Sequence, residues 1–226
     1  MDVRVVSIGA LGAHPLWSER APVRAGHATT TLIRTAGRTI LVDPGLPEAA
    51  IVARLRERAN VAPRDVTDVF LTSFRPDARR SIEAFADADW WIAESEREGV
   101  GLPLIDALQR AAEGGDEELQ KMIAHDVAVL QRCRAAPDAL AERVDLFPLP
   151  GVTPGLCGLL IAGQRHTTLV CGDAIPTVEH LEQGKVLPQC ADAEAAAASF
   201  AEAIEIADLL ILGRDNLVVN PTRRPF

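Results

Sequence analysis

The sequence predicts an α/β (α+β) fold. Short runs of apolar and β-branched residues, typical of buried strands, alternate with segments whose apolar residues recur every three or four positions, as in amphipathic helices. These elements form two similar halves, each with strands first and helices later. No linker rich in Gly, Ser or Pro separates the halves, so a single domain is expected over residues 1–226.

The first half contains most of the strand signals. Asp43-Pro44-Gly45 should end a strand sharply, and Pro47 is a favoured first-turn residue for the helix that follows. Strands are expected at 4–8, 29–34, 39–42, 68–72 and 90–93, and helices at 47–59 and 78–85.

The second half opens with a long helical stretch, residues 104–140. Leu119, Met122 and Ile123 recur at helical spacing, and Gly114-Gly115 separates two helices. We expect a helical insertion at about 100–140 that packs on its own domain, covers the functional face or forms a homo-oligomer interface. Strands should follow at 144–149, 159–162, 167–171 and 208–212, with an Ala-rich helix at 193–207.

Composition and charge exclude some classes of partner. The net charge of -9 disfavours nucleic acids and anionic membrane surfaces, both of which attract Lys and Arg. No apolar run reaches the roughly 18 residues of a spanning helix, and the first residues lack the layout of a signal peptide. A cytoplasmic protein is therefore expected.

The segment 68–81 reads as a strand, a loop and the start of a helix. Val69-Phe70-Leu71-Thr72 forms the strand, and Ser73-Phe-Arg75-Pro-Asp77-Ala78 forms the loop. This layout resembles the signature of the metallo-β-lactamase superfamily, in which a strand ending in Leu-Thr is followed by His-x-His-x-Asp-His. The resemblance implies a four-layer αββα sandwich and hydrolysis assisted by one or two divalent metal ions.

Further segments resemble that family in the same chain order. The hairpin from Thr30 ends in Asp43-Pro-Gly45, a turn that in the family supports the metal loop from behind. Gly151-Val152-Thr153-Pro154-Gly155 resembles a Gly-His-Thr-Pro-Gly turn, and Gly172-Asp173-Ala174 resembles the element whose Asp bridges two metals. Gly213-Arg214 stands where the family has its last histidine.

The positions of the family's metal-binding histidines hold other residues in this chain. They are Ser73, Arg75, Ala78, Val152 and Arg214, whereas the two carboxylates, Asp77 and Asp173, are present. A catalytic zinc takes about three protein donors, and two carboxylates with a serine do not supply a useful set. We therefore expect no metal and no other cofactor; a divalent metal at the two carboxylates is the alternative.

Two of these positions carry fixed positive charge. We hypothesise that the guanidinium groups of Arg75 and Arg214 occupy the metal space and pair with Asp77 and Asp173, because buried carboxylates need partners. Neutralising Arg75 alone should then destabilise the fold by several kcal/mol. The alternative is that both arginines point into solvent.

The residues favour a non-catalytic, metallo-β-lactamase-like protein that binds an anionic small molecule or a protein partner. Its vestigial pocket would comprise the seven positions named above, with Asp43 behind them. The alternative is a hydrolase of ester, thioester, lactone or phosphoester bonds. Such an enzyme would use zinc or another divalent metal held by Asp43, Asp77, Asp173 and either His27 or His180, or metal-free acid–base chemistry.

Overall fold

The computed structural model describes residues 1–222, which form two six-stranded sheets and five α-helices. The first sheet has the order β1-β2-β3-β4-β5-β6, with strands at Asp2–Ser7, Thr30–Arg34, Thr39–Val42, Asp68–Leu71, Asp89–Ile92 and Arg134–Ala135. The second has the order β12-β11-β10-β9-β8-β7, with strands (β7 to β12) at Ala139–Ala141, Val144–Pro148, Cys157–Ala162, Thr167–Gly172, Leu209–Leu212 and Leu217–Val219. The helices α1 to α5 are Glu48–Ala59, Glu94–Glu113, Glu117–Arg132, Val178–Gln183 and Ala193–Ile206.

The two sheets pack face to face through an apolar core. Ile33, Val42 and Phe70 of the first sheet lie in one buried cluster with Leu159 and Ile211 of the second. Alternation along each strand turns every second side chain toward this interface, so these positions become fully dehydrated.

Helices cover the outer face of each sheet. Leu55 of α1 and Leu130 of α3 are buried in a cluster with Val69 of the first sheet. Phe200 of α5 is buried in a cluster with Leu210 of the second sheet. The order helix, sheet, sheet, helix confirms the expected four-layer αββα sandwich.

Three loops meet at one edge of the sandwich. β4 runs parallel to β3 and β5, and β10 runs parallel to β11. The loops after the carboxyl ends of β4, β10 and β11 carry Asp77, Asp173 and Arg214, and these side chains are in contact. The fold therefore gathers residues from both halves of the chain at this edge.

The expected helix at 78–85 is wrong. Only one 3-10 turn, Ile82–Phe85, forms there. The amides of Ala78 and Arg79 both donate to the Arg75 carbonyl, whereas the amide and hydroxyl of Ser81 donate to the Pro44 carbonyl. Hydrogen bonds to a distant turn thus replace those of a helix.

The helical stretch expected at 104–140 is wrong at both ends. α2 begins at Glu94, ten residues before the expected start, and continues through Pro103. Residues 133–140, which follow α3, are not helical; they form β6 and the start of β7, edge strands that pair with β5 and β8. The short elements α4 and β12 were also absent from the sequence-based assignment.

The longest helix, α2, has 20 residues and carries acidic residues in its first turn. Within residues 1–222, no helix combines the length and the hydropathy needed to cross a membrane.

Candidate functional site

The centre of the site is one buried guanidinium group. Arg214, whose side chain is 2% exposed, lies between the carboxylates of Asp77 and Asp173. Its Nε and Nη2 donate to the two oxygens of Asp173, each at 2.7 Å. Nη2 also donates to Asp77 Oδ1 at 3.1 Å, and Nη1 donates to Asp77 Oδ2. One cation therefore bridges both carboxylates through forked, charge-assisted hydrogen bonds.

A second arginine supports this cluster from its rim. Arg75 Nη1 donates to Asp173 Oδ2 at 3.0 Å. The Arg75 side chain is 32% exposed, whereas that of Asp173 is 4% exposed. Arg214 therefore carries the buried interaction, and Arg75 adds a partly solvated one.

Two glycines allow the loop that carries Arg214 to pack closely against the loop after β10. A side-chain carbon at Gly213 would lie 2.3 Å from the Gly172 carbonyl oxygen, and one at Gly172, where φ is +53°, would lie 2.8 Å from the Thr72 hydroxyl. The Arg214 amide also donates to the Pro176 carbonyl at 2.7 Å. This close approach of two loops fixes the direction of the Arg214 side chain.

The two buried aspartates of this edge have opposite electrostatics. Burial alone would raise the pKa of Asp173, but the charges and hydrogen bonds of Arg214 and Arg75 outweigh it and lower that pKa to about 2. Asp43 has no guanidinium hydrogen-bonded to it within residues 1–222; its oxygens accept from the amide and the hydroxyl of Thr72, at 2.9 and 2.6 Å. Burial, with some repulsion from Asp173, raises the pKa of Asp43 to about 7.

The raised pKa of Asp43 makes stability depend on pH. The folded protein keeps the Asp43 proton up to about pH 7, whereas the unfolded chain releases it near the ordinary value of 3.8. The folded state binds more protons in this interval, so this group makes the free energy of unfolding fall as pH rises from about 4 to about 7. We expect Asp43→Asn to reduce that fall, measured by urea unfolding at several pH values, whereas Asp106→Asn at an exposed aspartate should not. An unchanged slope in Asp43→Asn would contradict the assignment.

Three of the sequence-predicted positions are buried and, within residues 1–222, form no side-chain hydrogen bond to the Arg214 cluster. Ser73, Ala78 and Val152 are buried, at 2%, 1% and 4% exposure. Val152 lies in the apolar cluster beneath α5, and the Ala78 amide closes the turn on Arg75. The structure thus brings together Arg75, Asp77, Asp173 and Arg214, with Asp43 beside them.

The two histidines considered for a metal or acid–base role lie near the site but are not paired with its carboxylates. His27 Nδ1 is 3.4 Å from the Ala28 carbonyl, and burial lowers the pKa of His27. His180 is fully buried, its Nδ1 is 2.9 Å from the Thr177 hydroxyl, and burial lowers its pKa to about 4. Within residues 1–222 neither forms a hydrogen bond to any of the three aspartates of this edge.

The sequence analysis did not predict a polar cluster that lies beside Arg214. The Thr177 hydroxyl lies 3.1 Å from His14 Nε2, 2.9 Å from His180 Nδ1 and 2.7 Å from Glu179 Oε2. If its single proton goes to Glu179, both imidazoles donate to the hydroxyl oxygen, and their other nitrogens are acceptors. Those nitrogens are buried and unpaired, which fits this tautomer assignment. In this arrangement the hydroxyl has no imidazole base.

The sequence analysis also did not predict the role of Glu96, which joins two loops beside the site through hydrogen bonds. Its carboxylate is fully buried and accepts from the Phe74 amide and from the Gly155 amide, each at 2.9 Å. Phe74 belongs to the loop after β4, and Gly155 to the turn before β9. The only sequence signal is an acidic residue in the first turn of α2, which usually lies in solvent.

The donors at this edge do not fit a metal ion. Both oxygens of Asp77 and both oxygens of Asp173 accept hydrogen bonds from Arg214, and its charge would repel a cation placed among them. Across the described chain, 1–222, no group of three or more His, Cys, Asp and Glu side chains is arranged to hold a metal. The positive charge between the carboxylates is supplied by arginine.

Comparison with known proteins links this geometry to a family. The model of the metallo-beta-lactamase superfamily matches residues 23–72, which cover β2 to β4 and the Asp43 turn. A search of curated protein sequences finds no match.

Solved structures match over most of the chain. A Thermotoga maritima protein described as a candidate metallo-beta-lactamase has a TM-score of 0.69 and 17% identity, over 96% of this chain and 98% of its own. AidC, a dizinc quorum-quenching lactonase solved with a product, has a TM-score of 0.61 and 20% identity, over 79% and 67%.

A mutant of AiiA from B. thuringiensis, solved with N-decanoyl-L-homoserine at its active site, has a TM-score of 0.59 and 22% identity, over 84% of this chain and 80% of its own. At these identities the likeness concerns the fold. The chain therefore has the metallo-β-lactamase fold, and its residues 23–72 carry the sequence pattern of the metallo-β-lactamase superfamily.

Proposed function

We propose that this metallo-β-lactamase-fold protein works without a metal ion and acts by binding rather than by hydrolysis. The observation that carries the proposal is the guanidinium of Arg214, which is 2% exposed and engages both oxygens of Asp77 and of Asp173. In metal-dependent hydrolases, the cation generates hydroxide from water near neutral pH. The guanidinium groups of Arg214 and Arg75 together balance the two carboxylates, but a guanidinium has no coordination position for water.

The energetics keep Arg214 in place. Moving it out of the site would leave Asp77 without its cation and the buried Asp173 with only the partly exposed Arg75. Removing one partner of a buried charge pair typically costs about 3–5 kcal/mol. A zinc ion competing for this space would have to offset that loss while gaining only two carboxylate ligands. The donor set therefore supports a pocket that stays closed to metals.

Within this proposal, the ligand binds beside Arg214 and not to its guanidinium group. Arg214 already uses Nε, Nη1 and Nη2 for the two carboxylates. Arg75 uses only Nη1 and remains partly exposed. Within this proposal, an anionic small molecule would be recognised at Arg75, at the rim of the site.

Metal content and hydrolysis test the proposal together. The purified protein is incubated with excess zinc, desalted and analysed by mass spectrometry for metals, with a dizinc lactonase of the same fold as the positive control. We expect far less than one zinc per chain, and no turnover of lactone, thioester or phosphoester substrates. About one or more zinc ions per chain, with hydrolysis that a chelator abolishes, would overturn the proposal.

A further inference from the structure

A groove lies between the loop after β4 and the amino-terminal half of α2. Its volume is about 460 Å³, within the range of small-molecule sites, which is roughly 300–1,000 Å³. The walls are mostly apolar, and they are formed by Phe74, Pro76, Val100, Pro103, Leu104 and Pro154. Three of these residues are prolines, whose side chains lose almost no conformational entropy when a ligand packs on them.

Most charged groups of this groove are already paired. Arg79 donates to the Phe74 carbonyl at 3.1 Å and to Asp126 at 2.7 Å, and its guanidinium lies 4.2 Å from the centre of the Phe74 ring. The Glu96 carboxylate accepts two backbone amides, as described above. The charges of Arg79, Asp126 and Glu96 are therefore already balanced or hydrogen-bonded without a ligand.

Arg75 differs from them. Within residues 1–222 its guanidinium makes one hydrogen bond, from Nη1 to Asp173. The opposite edge, formed by Nε–H and Nη2–H, is a planar fork that matches a carboxylate in a bidentate pair. Arg75 therefore lines the apolar groove, is oriented by one hydrogen bond to Asp173, and has donors that no group within residues 1–222 uses.

We propose that the groove binds a monocarboxylate with an apolar tail. The carboxylate pairs with the free edge of Arg75, and the tail lies along the proline-lined wall toward Leu104. This inference rests on the proposed function, because only a metal-free site leaves Asp173 available to orient Arg75. It goes further by assigning the chemical class of the ligand and a position outside the Arg214 cluster.

Binding of decanoate, below its micelle concentration, tests this site by isothermal titration calorimetry. Acetate provides the control for the tail, and decyltrimethylammonium provides the control for the head group. We expect saturable one-to-one binding of decanoate, no measurable binding of acetate, and no saturable one-to-one binding of the cationic amphiphile.

Two variants locate the ligand. Arg75→Gln should weaken decanoate binding about ten- to a hundredfold, because a charge-assisted hydrogen-bond pair is lost. Leu104→Ser should also weaken it, whereas Leu102→Ser, on the same helix but 72% exposed and outside the groove, should not. Thermal melting of each variant shows whether it is folded. If Arg75→Gln does not fold, Leu104→Ser still tests the site.

Absence of saturable binding, or equal binding by the parent, Arg75→Gln and Leu104→Ser, would overturn the inference. Metal analysis of the same preparation separates the two proposals. A metal-free protein that does not bind decanoate contradicts the groove assignment alone, whereas a stoichiometric metal contradicts the proposed function.

Discussion

Arg214→Leu is expected to lower the free energy of unfolding by about 3–5 kcal/mol. The change leaves Asp173, which is 4% exposed, with only the single hydrogen bond from Arg75. It also removes both hydrogen bonds to Asp77. Leucine fills much of the space but supplies no charge, so most of the loss reflects the buried Asp173 carboxylate, whose charge only Arg75 then compensates.

Urea unfolding followed by circular dichroism measures this effect. Arg75→Leu is the matched control, because it removes one hydrogen bond from the same Asp173 oxygen and is partly solvated; we expect a loss of no more than about 1 kcal/mol. Adding Asp77→Asn and Asp173→Asn to Arg214→Leu should recover part of the stability, because the uncompensated charges are removed. An Arg214→Leu protein as stable as the parent would contradict the buried-pair account.

The geometry therefore revises one sequence-based expectation. The sequence analysis assigned a large effect to Arg75, because removing it was expected to leave a buried carboxylate without a partner. The structure gives the buried role to Arg214, which reaches the carboxylates from the loop after β11. Side-chain burial, which no sequence pattern specified at these two positions, decides which arginine matters more.

Glu96→Ala is expected to lower the free energy of unfolding by about 2–4 kcal/mol. The change leaves the Phe74 and Gly155 amides buried without an acceptor, and each orphaned group costs about 1–3 kcal/mol. A side chain at Gly155 would come within 2.0 Å of the Glu96 amide nitrogen, so the two segments are packed too closely for water to enter easily. The loop after β4 should loosen as a consequence.

Glu94→Ala provides the control for this prediction. Glu94 is exposed and lies in the same first turn of α2, so it shares the favourable interaction with the helix dipole but not the two hydrogen bonds. Amide exchange of Phe74 and Gly155 should become faster in Glu96→Ala only. Equal stability and equal exchange in the two variants would show that Glu96 acts through the helix dipole alone.

The sequence predicted those parts of the fold that rest on local patterns. β3 was placed at 39–42, and the helix that became α1 was placed at 47–59, because Pro, Gly and an apolar face act within one element. The stretch around Pro103 was missed because Gly and Pro weaken a helix signal, whereas packing of Gly99 against Pro154 favours α2 there. β6 and β7 have only two and three residues, so pairing with neighbouring strands defines them rather than their own sequence.

The sequence also identified part of the candidate site. The resemblance to the metallo-β-lactamase superfamily grouped Asp77, Asp173 and Arg214, and the structure shows the physical reason, because the loops that carry them follow the carboxyl ends of strands at one edge of the sandwich. Glu96 and the polar cluster around Thr177 were not predictable, because their partners lie far away in sequence and follow no spacing rule.

The central claim is that a guanidinium group, and not a metal ion, lies between Asp77 and Asp173. Crystals grown with excess zinc, measured on both sides of the zinc absorption edge, test it directly. The account predicts continuous density for the Arg214 side chain between the carboxylates and no anomalous peak there. An anomalous peak within bonding distance of both carboxylates, with Arg214 turned away, would contradict it.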